Sequence, residues 1–363
     1  MFSVLIFILI LSVMILVHEF GHFMQARALG IRVEKFSLGF GPKLFSFKRG
    51  FTEWSICLFA FGGYVKLSGD NREEYKGKDY EFLTHSPFER ARVIFAGPFL
   101  NYALAFLCFW LVNIVGYPNL TTRVGEVMAG YPAEKSGILK GDLIINVDGK
   151  EIKYWQELQE IVYKKNTPKI DLTILRGKEK ISLSVGLRQE VVTNILGAKQ
   201  RVSRMGIRAL GETVLVKHNI YEALWFAGKR IWDLTAITYM AIGRMLTGGL
   251  SVRESVTGPL GMFYVTSSAV SLGVSAVLHF MAILSASLAI FNLLPFPVLD
   301  GGHIFFLFLE KLRGRHLTQR VEEMINQTAV TVLIGLAILV FLNDLSRFGI
   351  WDKIFEAVSK IKW

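Results

Sequence analysis

Cysteine and charge are both scarce in this chain of 363 residues. The two cysteines, Cys57 and Cys108, fall in a predicted strand and in an apolar run, so a disulfide framework is not expected. Charged residues make up 20% of the sequence against 52% hydrophobic residues, which indicates a membrane protein rather than an ordinary globular enzyme. No Ser-His-Asp set, P-loop or dinucleotide-binding motif stands in a suitable context.

Charge is absent from the stretch Met1 to Val17. With the helix continued to about Leu29, this stretch exceeds the roughly 20 residues that cross a hydrocarbon core. A cleaved signal peptide would carry a base before its apolar run, whereas the first base here is Arg27, so we interpret the stretch as a retained span. Further apolar runs lie at about 93–115, 276–299 and 329–342. The sequence therefore predicts an α-helical membrane protein with about four transmembrane helices.

Basic residues outnumber acidic residues by 41 to 30, which gives a formal net charge of +11. They concentrate in the connectors after the first and third predicted spans. The positive-inside rule places these connectors on the cytoplasmic side, with both termini and the segment from Gly116 to about Glu254 outside. This topology explains the charge. No basic stripe with interleaved aromatic residues stands out, so no nucleic-acid partner is expected.

Two histidines and a glutamate interrupt the first span, in "ILVHEFGHFM" at 15–24. His18 and His22 project from one helix face a turn apart, and Glu19 lies beside the first. This spacing lets two imidazoles bind one Zn²⁺ while the carboxylate polarises water. An ionised side chain at bilayer depth costs about 2.5–3.5 kcal/mol, and a zinc site that returns about 10–16 kcal/mol offsets this cost. The alternative is that neighbouring helices satisfy three polar side chains.

A third metal ligand is expected at the end of the third span, in "NLLPFPVLDGGH". Pro295 and Pro297 break the helix there, while Gly301 and Gly302 allow a tight backbone. Irregular backbone at this depth is tolerated only where protein covers it or where it lines a wet cavity. Asp300 is the predicted third ligand. The alternatives are a helix-capping role for Asp300 and ligation by His303, and the lone His279 is interpreted as a packing residue.

These motifs resemble the site-2 proteases, the family of intramembrane zinc metalloproteases, and more closely its RseP-type bacterial members. The matching stretches are "HEFGH" at 18–22, "GFGP" at 39–42, "AGPFLN" at 96–101, a PDZ-like segment at 124–152, "TGPLGM" at 257–262 and "FNLLPFPVLDGGH" at 291–303. The resemblance implies that His18, His22 and Asp300 bind zinc and that Glu19 is the general base. It also implies a bacterial cytoplasmic (inner) membrane, with the active site towards the cytoplasm.

Two amides lie in apolar surroundings, Asn101 in the second span and Asn292 before the proline motif. Each could hydrogen-bond the substrate backbone or the developing oxyanion. The resemblance supports both as active-site amides. For Asn101, an interhelical hydrogen bond that serves packing is the alternative.

Residues 31–67 contain aromatic and β-branched runs divided by a Lys-Arg-Gly turn, which predicts a β-hairpin. The resemblance implies a membrane-associated sheet, whose edge beside the zinc could hold an extended substrate by strand addition. The alternative is a solvent-exposed structural hairpin.

The predicted domain organisation has four parts. Residues 1–117 hold the first two spans with the hairpin, and 118–192 form one external PDZ-like domain of mixed α/β type. Residues 193–275 form a linker and an amphipathic interfacial helix, and 276–363 hold the last two spans. The family also has members with tandem PDZ domains, and this chain has room for one. That domain would bind a peptide, gate large ectodomains or dock partner subunits.

The predicted function is an intramembrane zinc metalloprotease whose substrates are transmembrane proteins or peptides in membrane lipid. The resemblance implies regulated intramembrane proteolysis of single-span proteins, such as anti-sigma factors, or clearance of signal-peptide remnants. The alternatives are a divalent-metal transporter, which would carry further ligands along a pathway, and a non-catalytic PDZ scaffold, which would not need Glu19.

Overall fold

The computed structural model describes residues 2–194, 196–251, 255–314 and 318–349, and the chain divides into two units. The helical unit comprises Met1–Val112, Glu222–Tyr239 and Val252–Trp363. The sheet unit comprises Asn113–Tyr221 and Met240–Ser251. Glu254, a predicted boundary of the outside segment, and residues 350–363 of the predicted last part lie outside the described residues.

Long apolar helices dominate the helical unit. The helices that the described residues form are α1 Phe2–Ala28, α2 Pro87–Val115, α3 Pro132–Lys135, α4 Trp155–Lys164, α5 Ile220–Leu246, α6 Pro259–Ser271, α7 Val274–Asn292, α8 Asp300–Arg313 and α9 Gln319–Arg347. Within the described ranges, four of them are long and apolar enough to cross a membrane, namely α1, α2, α7 and α9. This number agrees with the spans predicted from the apolar runs.

The ends of these helices differ from the apolar runs for local reasons. Helix α2 begins earlier than predicted because Ser86 and Glu89 form a capping box. In it the Ser86 hydroxyl accepts from the Glu89 N–H at 3.3 Å, and the Glu89 carboxylate accepts from the Ser86 N–H at 3.0 Å. Helix α7 ends at Asn292 rather than at 299, because Pro295 and Pro297 cannot donate to a continuing helix.

The segment between α1 and α2 forms the predicted hairpin of β1 (Val33–Arg49) and β2 (Thr52–Leu67). Both strands bend, so the hairpin is folded into four extended segments. Residues 33–38 pair with 63–67 on one side and with 53–56 on the other, while 43–49 pair with 52–57. Segment 63–67 is therefore one outer edge of the sheet.

Glycines permit the bend of the hairpin. Gly39 has a φ of 89° and Gly62 a φ of 144°, which L-residues with side chains rarely adopt. Around the bend, large apolar side chains are exposed, such as Phe40 at 49% and Phe59 at 55%. These side chains agree with a hairpin placed in lipid, and its depth stays a prediction.

The remaining strands belong to the sheet unit. They are β3 Tyr117–Leu120, β4 Val124–Val127, β5 Leu143–Val147, β6 Lys150–Glu151, β7 Lys169–Arg176, β8 Glu179–Gly186, β9 Arg188–Thr193, β10 Lys199–Arg204, β11 Ile207–Ala209 and β12 Thr213–Val216. Four of them form one sheet in the order β6-β5-β7-β8, with α4 between β6 and β7 in sequence. Turns at Asp148-Gly149 and at Arg176-Gly177 join β5 to β6 and β7 to β8.

A single apolar core supports the sheet unit, with Ile144, Leu158 and Ile174 among its fully buried residues. Burial alone would raise the pKa of Asp142, but hydrogen bonds from Arg176 and from the Leu139 N–H hold that pKa below its usual value. The unit extends past residue 192, the predicted end of the domain. The reason is that β11 and β12 return to pair with β4 and β3.

Helix α5 contains the segment for which the sequence predicts an amphipathic helix. Its part in the helical unit packs on α2 and α7, where Ala227 is buried with Cys108, Phe109 and Ala282. The Tyr102 hydroxyl lies 3.1 Å from the hydroxyl of Thr235. This helix is thus packed on two membrane helices, a contact that its amphipathic pattern did not predict.

Candidate active site

The two histidines of the HExxH motif meet an aspartate from a distant part of the chain. On α1, the Nε2 atoms of His18 and His22 lie 3.2 Å apart. The Oδ2 atom of Asp300, at the start of α8, lies 3.1 Å from the His18 Nε2 and 3.7 Å from the His22 Nε2. Within the described part of the chain, this is the one group of three such residues that could hold a metal ion.

Asp300 owes its position to the backbone around it. The turn between α7 and α8 folds over the first turn of α8, where Gly301 and Gly302 leave room for it. A Cβ on Gly302 would lie 2.7 Å from the Pro297 Cα, and one on Gly301 would collide with the Leu293 carbonyl. The turn between the two helices thus packs closely on Gly301 and Gly302, and Asp300 at the start of α8 lies beside the histidines.

The three residues fit a zinc ion. Ligand atoms held tetrahedrally at about 2.0–2.1 Å from zinc lie about 3.3 Å from one another, close to the separations observed here. The Oδ2 of Asp300 is buried and accepts no hydrogen bond from the described residues, although both imidazoles lie close to it. Two imidazole nitrogens and a carboxylate oxygen that converge in this way are a donor set that suits zinc.

Helix α2 orients the two imidazoles. The Nδ1 of His22 donates to the Val93 carbonyl at 2.9 Å, which leaves its Nε2 lone pair for a metal. The Nδ1 of His18 lies 3.2 Å from the Asn101 amide. Between these two contacts, the Cα of Gly97 lies so close that an added Cβ would stand 2.5 Å from the His22 Cε1. Positions 93, 97 and 101 repeat every four residues and so share one face of α2.

Asn101 is completely buried, and its main-chain carbonyl accepts a hydrogen bond from the Ser285 hydroxyl at 2.9 Å. Its Oδ1 has no partner among the described residues. If the amide is turned by a half rotation, Oδ1 accepts from the Nδ1–H of His18, and the His18 Nε2 lone pair is then free for the metal. Of the two roles that the sequence left open, this position favours the hydrogen bond between helices over contact with substrate.

Glu19 lies beside the cluster of His18, His22 and Asp300 and beside the outer edge of the hairpin. The backbone of Val65 faces its carboxylate, and a Cβ on Gly63 would stand 3.2 Å from the Glu19 Cγ. Residues 63 and 65 thus bring the outer edge of the sheet to the HExxH helix. Gly63 has no side chain to keep the two apart.

A cavity of about 820 Å³ opens beside the cluster. Glu19, both histidines and Asp300 line it together with apolar side chains and with charged side chains, including Arg72, Arg90, Glu310, Glu322 and Glu323. A cavity at this point gives the water that the reaction consumes a place beside Glu19. Its opening towards the cytoplasm stays a prediction.

The other predicted site residues lie around this centre. Asn292 is half-buried at the last position of α7, and its role towards substrate stays a prediction. His303 lines the cavity but does not belong to the ligand cluster of the described residues. The imidazole of His279 packs edge-on against the Phe109 ring at 5.3 Å, as expected for a packing residue.

Sequence reasoning missed three features of the site. A backbone carbonyl such as that of Val93 leaves no trace in the sequence. Gly97 stood in a recognised motif, and its contact with the histidines needed the helix crossing to become visible. The ion pair of Arg90 with Glu310 joins residues 220 positions apart and has no local signal.

The chain is similar to known proteins over nearly its whole length. The model of peptidase family M50 matches residues 6–336. A candidate zinc metalloprotease of Rickettsia conorii is 33% identical over 359 residues, covering 96% of this chain and 99% of that protein. Metalloprotease MmpA of Caulobacter vibrioides is 29% identical over 380 residues, covering 94% and 95%. The solved PDZ domain of an SdrC-like protein from Listeria innocua matches 24% of this chain and 92% of its own, at 23% identity and a TM-score of 0.20.

Proposed function

The chain belongs to peptidase family M50, the site-2 proteases, and from this premise we propose that it cuts peptide bonds within or near the membrane segments of single-span proteins. It is an intramembrane zinc metalloprotease. The proposal rests on one observation. His18 and His22 lie on an apolar helix beside Glu19, and Asp300 converges on them from α8. The metal-transport alternative expects further ligand clusters, and the described residues contain this one.

The side chains divide the chemistry between them. His18, His22 and Asp300 would hold zinc, which supplies a Lewis acid for the peptide carbonyl and lowers the pKa of water. The Glu19 carboxylate takes the proton from the attacking water and passes it to the departing amine nitrogen. The backbone of Val65 faces this carboxylate from the hairpin edge. The Val93 carbonyl holds the His22 ring by its Nδ1 proton, and the Asn101 amide contacts the Nδ1 of His18.

A helical substrate must unwind before it is cut, because its carbonyls are hydrogen-bonded and shielded. We propose that the unwound segment pairs with the edge segment 63–67, which lies at Glu19. A strand exposes its amides alternately, so N-methyl groups placed singly along a substrate should block cleavage at every second position. A uniform effect of N-methylation, or none, would contradict strand pairing.

The relatives are bacterial, and basic residues follow the first and third predicted spans. We propose an inner-membrane location in which α1, α2, α7 and α9 cross the bilayer, the hairpin connector lies on the cytoplasmic side and the sheet unit lies outside. A membrane-impermeant maleimide added to intact cells should label a cysteine at Lys178 but not one at Lys78. The reverse pattern would overturn this orientation.

The sheet unit is proposed to bind a peptide segment of the substrate or of a partner. Tyr163, a 37% exposed residue of α4, is a suitable place for a photo-crosslinker. An adduct with the substrate or with a partner subunit supports this role, and the absence of any adduct would count against it.

The protease function is tested with purified protein and a tagged single-helix substrate that lacks a large ectodomain. The wild type should cleave this substrate, lose all cleavage after treatment with a zinc chelator, and regain it when zinc is added back. A matched substrate bearing a large folded ectodomain controls for selection of trimmed substrates. Cleavage that persists without metal would sink the assignment as a metalloprotease.

A further inference from the structure

One buried ion pair lies deep in the cavity wall. Arg90, in the first turns of α2, pairs with Glu310 of α8, and their side chains are only 5% and 15% exposed. The Arg90 Nε also donates to the His85 carbonyl at 3.1 Å. The guanidinium therefore has partners on two sides, so its direction is fixed as well as its charge.

The pair joins α2 and α8, the helices that position His22 and Asp300. Arg90 stands one turn before Val93, whose carbonyl holds the His22 ring. Glu310 stands near the end of α8, the helix that begins with Asp300. At its beginning α8 is fixed by the turn packed over Gly301 and Gly302. Glu310 fixes the other end of the same helix, so α8 is held at two points.

We propose that the Arg90–Glu310 pair is a positioning clamp that sets the place of Asp300 relative to His22 and thereby the affinity of the site for zinc. The proposal rests on the zinc-protease function and deepens it. Neither residue touches the ligand atoms, so both act through other residues. A rigid helix carries the constraint from Glu310 to the carboxylate at its far end.

Stability alone is a poor explanation for this pair. A buried ion pair repays its desolvation only partly, and well-packed apolar residues of similar volume often replace it without loss of stability. They cannot replace its direction, because the guanidinium fork of Arg90 binds the Glu310 carboxylate through one terminal nitrogen and the His85 carbonyl through its Nε, whereas methyl groups slide. An apolar pair at these positions therefore separates fold stability from metal-site geometry.

The experiment compares the wild type with Arg90→Met/Glu310→Leu in the full-length, metal-stripped protein. Zinc affinity is measured by competition with a chromogenic chelator, and the thermal unfolding of the zinc-free protein is measured beside it. The control is Arg72→Met/Glu322→Leu, which removes a pair on the same cavity at 3.5 Å whose side chains are each 37% exposed. Arg90→Lys is the second variant, since it keeps the charge but loses the fork.

The clamp predicts that the Arg90→Met/Glu310→Leu protein unfolds near the wild-type temperature when zinc-free but binds zinc about 10 to 100-fold more weakly. Arg90→Lys should weaken zinc binding several-fold, and the Arg72–Glu322 control should not change it. Wild-type zinc affinity in Arg90→Lys or in the apolar double variant would overturn the clamp. An equal loss in the control would also overturn it. If the wild type itself bound no zinc, the proposed function would fail first, so the two failures are distinguishable.

Discussion

Replacing Glu19 by Gln should reduce kcat by about 10² to 10⁴-fold while the protein still binds one zinc ion per chain. The amide keeps the size of the side chain but cannot take a proton from water. The histidines and Asp300 are unchanged, so the metal remains. The measurement is single-turnover cleavage of the tagged single-helix substrate, with the zinc content of the same sample determined in parallel.

The matched control for this variant is Glu34→Gln, which removes an acid of the same length from the hairpin. Glu34 lies 3.7 Å from Lys66 and is 43% exposed at its side chain, so its loss should leave kcat nearly unchanged. If Glu19→Gln turned over at the wild-type rate, another residue would have to carry the proton. If it lost its zinc, Glu19 would be a ligand rather than the base.

The second large effect is expected when a methyl group is added at Gly97. Gly97→Ala should abolish detectable cleavage and lower zinc affinity at least about 100-fold. The new Cβ would stand 2.5 Å from the His22 Cε1 and 2.9 Å from the His18 Cε1, where real contacts are longer. Gly21 of α1 packs on the backbone of Ala96 and Gly97, so the two helices cross closely at this point. The added methyl group must therefore either push α2 away from α1, which breaks the His22–Val93 hydrogen bond, or turn the imidazoles away from the metal.

Gly335→Ala provides the control for this prediction. Gly335 is also a helical glycine of the helical unit, but no atom lies within 4 Å of its added Cβ. Alanine there should raise helix stability by up to about 1 kcal/mol and leave zinc binding unchanged. Zinc affinity is measured by chelator competition on both variants. Wild-type affinity in Gly97→Ala would show that the crossing of α1 and α2 does not confine the histidines.

Much of the site could be predicted from the sequence because its chemistry depends on particular residue types. Charge is costly in an apolar run, so His18, Glu19 and His22 are easily recognised as candidate site residues. The proline and glycine pattern around Asp300 predicts an irregular backbone within the membrane. The structure brings His18, His22 and Asp300 together, and their role as metal ligands stays a prediction. The hairpin also followed from its residue pattern, since aromatic runs flank a Lys-Arg-Gly turn.

The features that escaped prediction depend on tertiary contacts. The capping box of Ser86 and Glu89 was readable as Ser-Pro-Phe-Glu, yet attention to apolar runs placed the start of α2 too late. The bends at Gly39 and Gly62 turn a simple hairpin into four segments, and only the strand register shows which segment becomes the edge. The end of the sheet unit was missed because its last strands pair with its first.

The central claim is that His18, His22 and Asp300 hold one zinc ion, and metal analysis tests it most directly. Wild-type protein and the Asp300→Ala and His303→Ala variants are purified, treated with a weak chelator and analysed for zinc per chain. We expect one zinc in the wild type and in His303→Ala, and almost none in Asp300→Ala. Full zinc content in Asp300→Ala, or its loss in His303→Ala, would contradict the ligand set and the mechanism that depends on it.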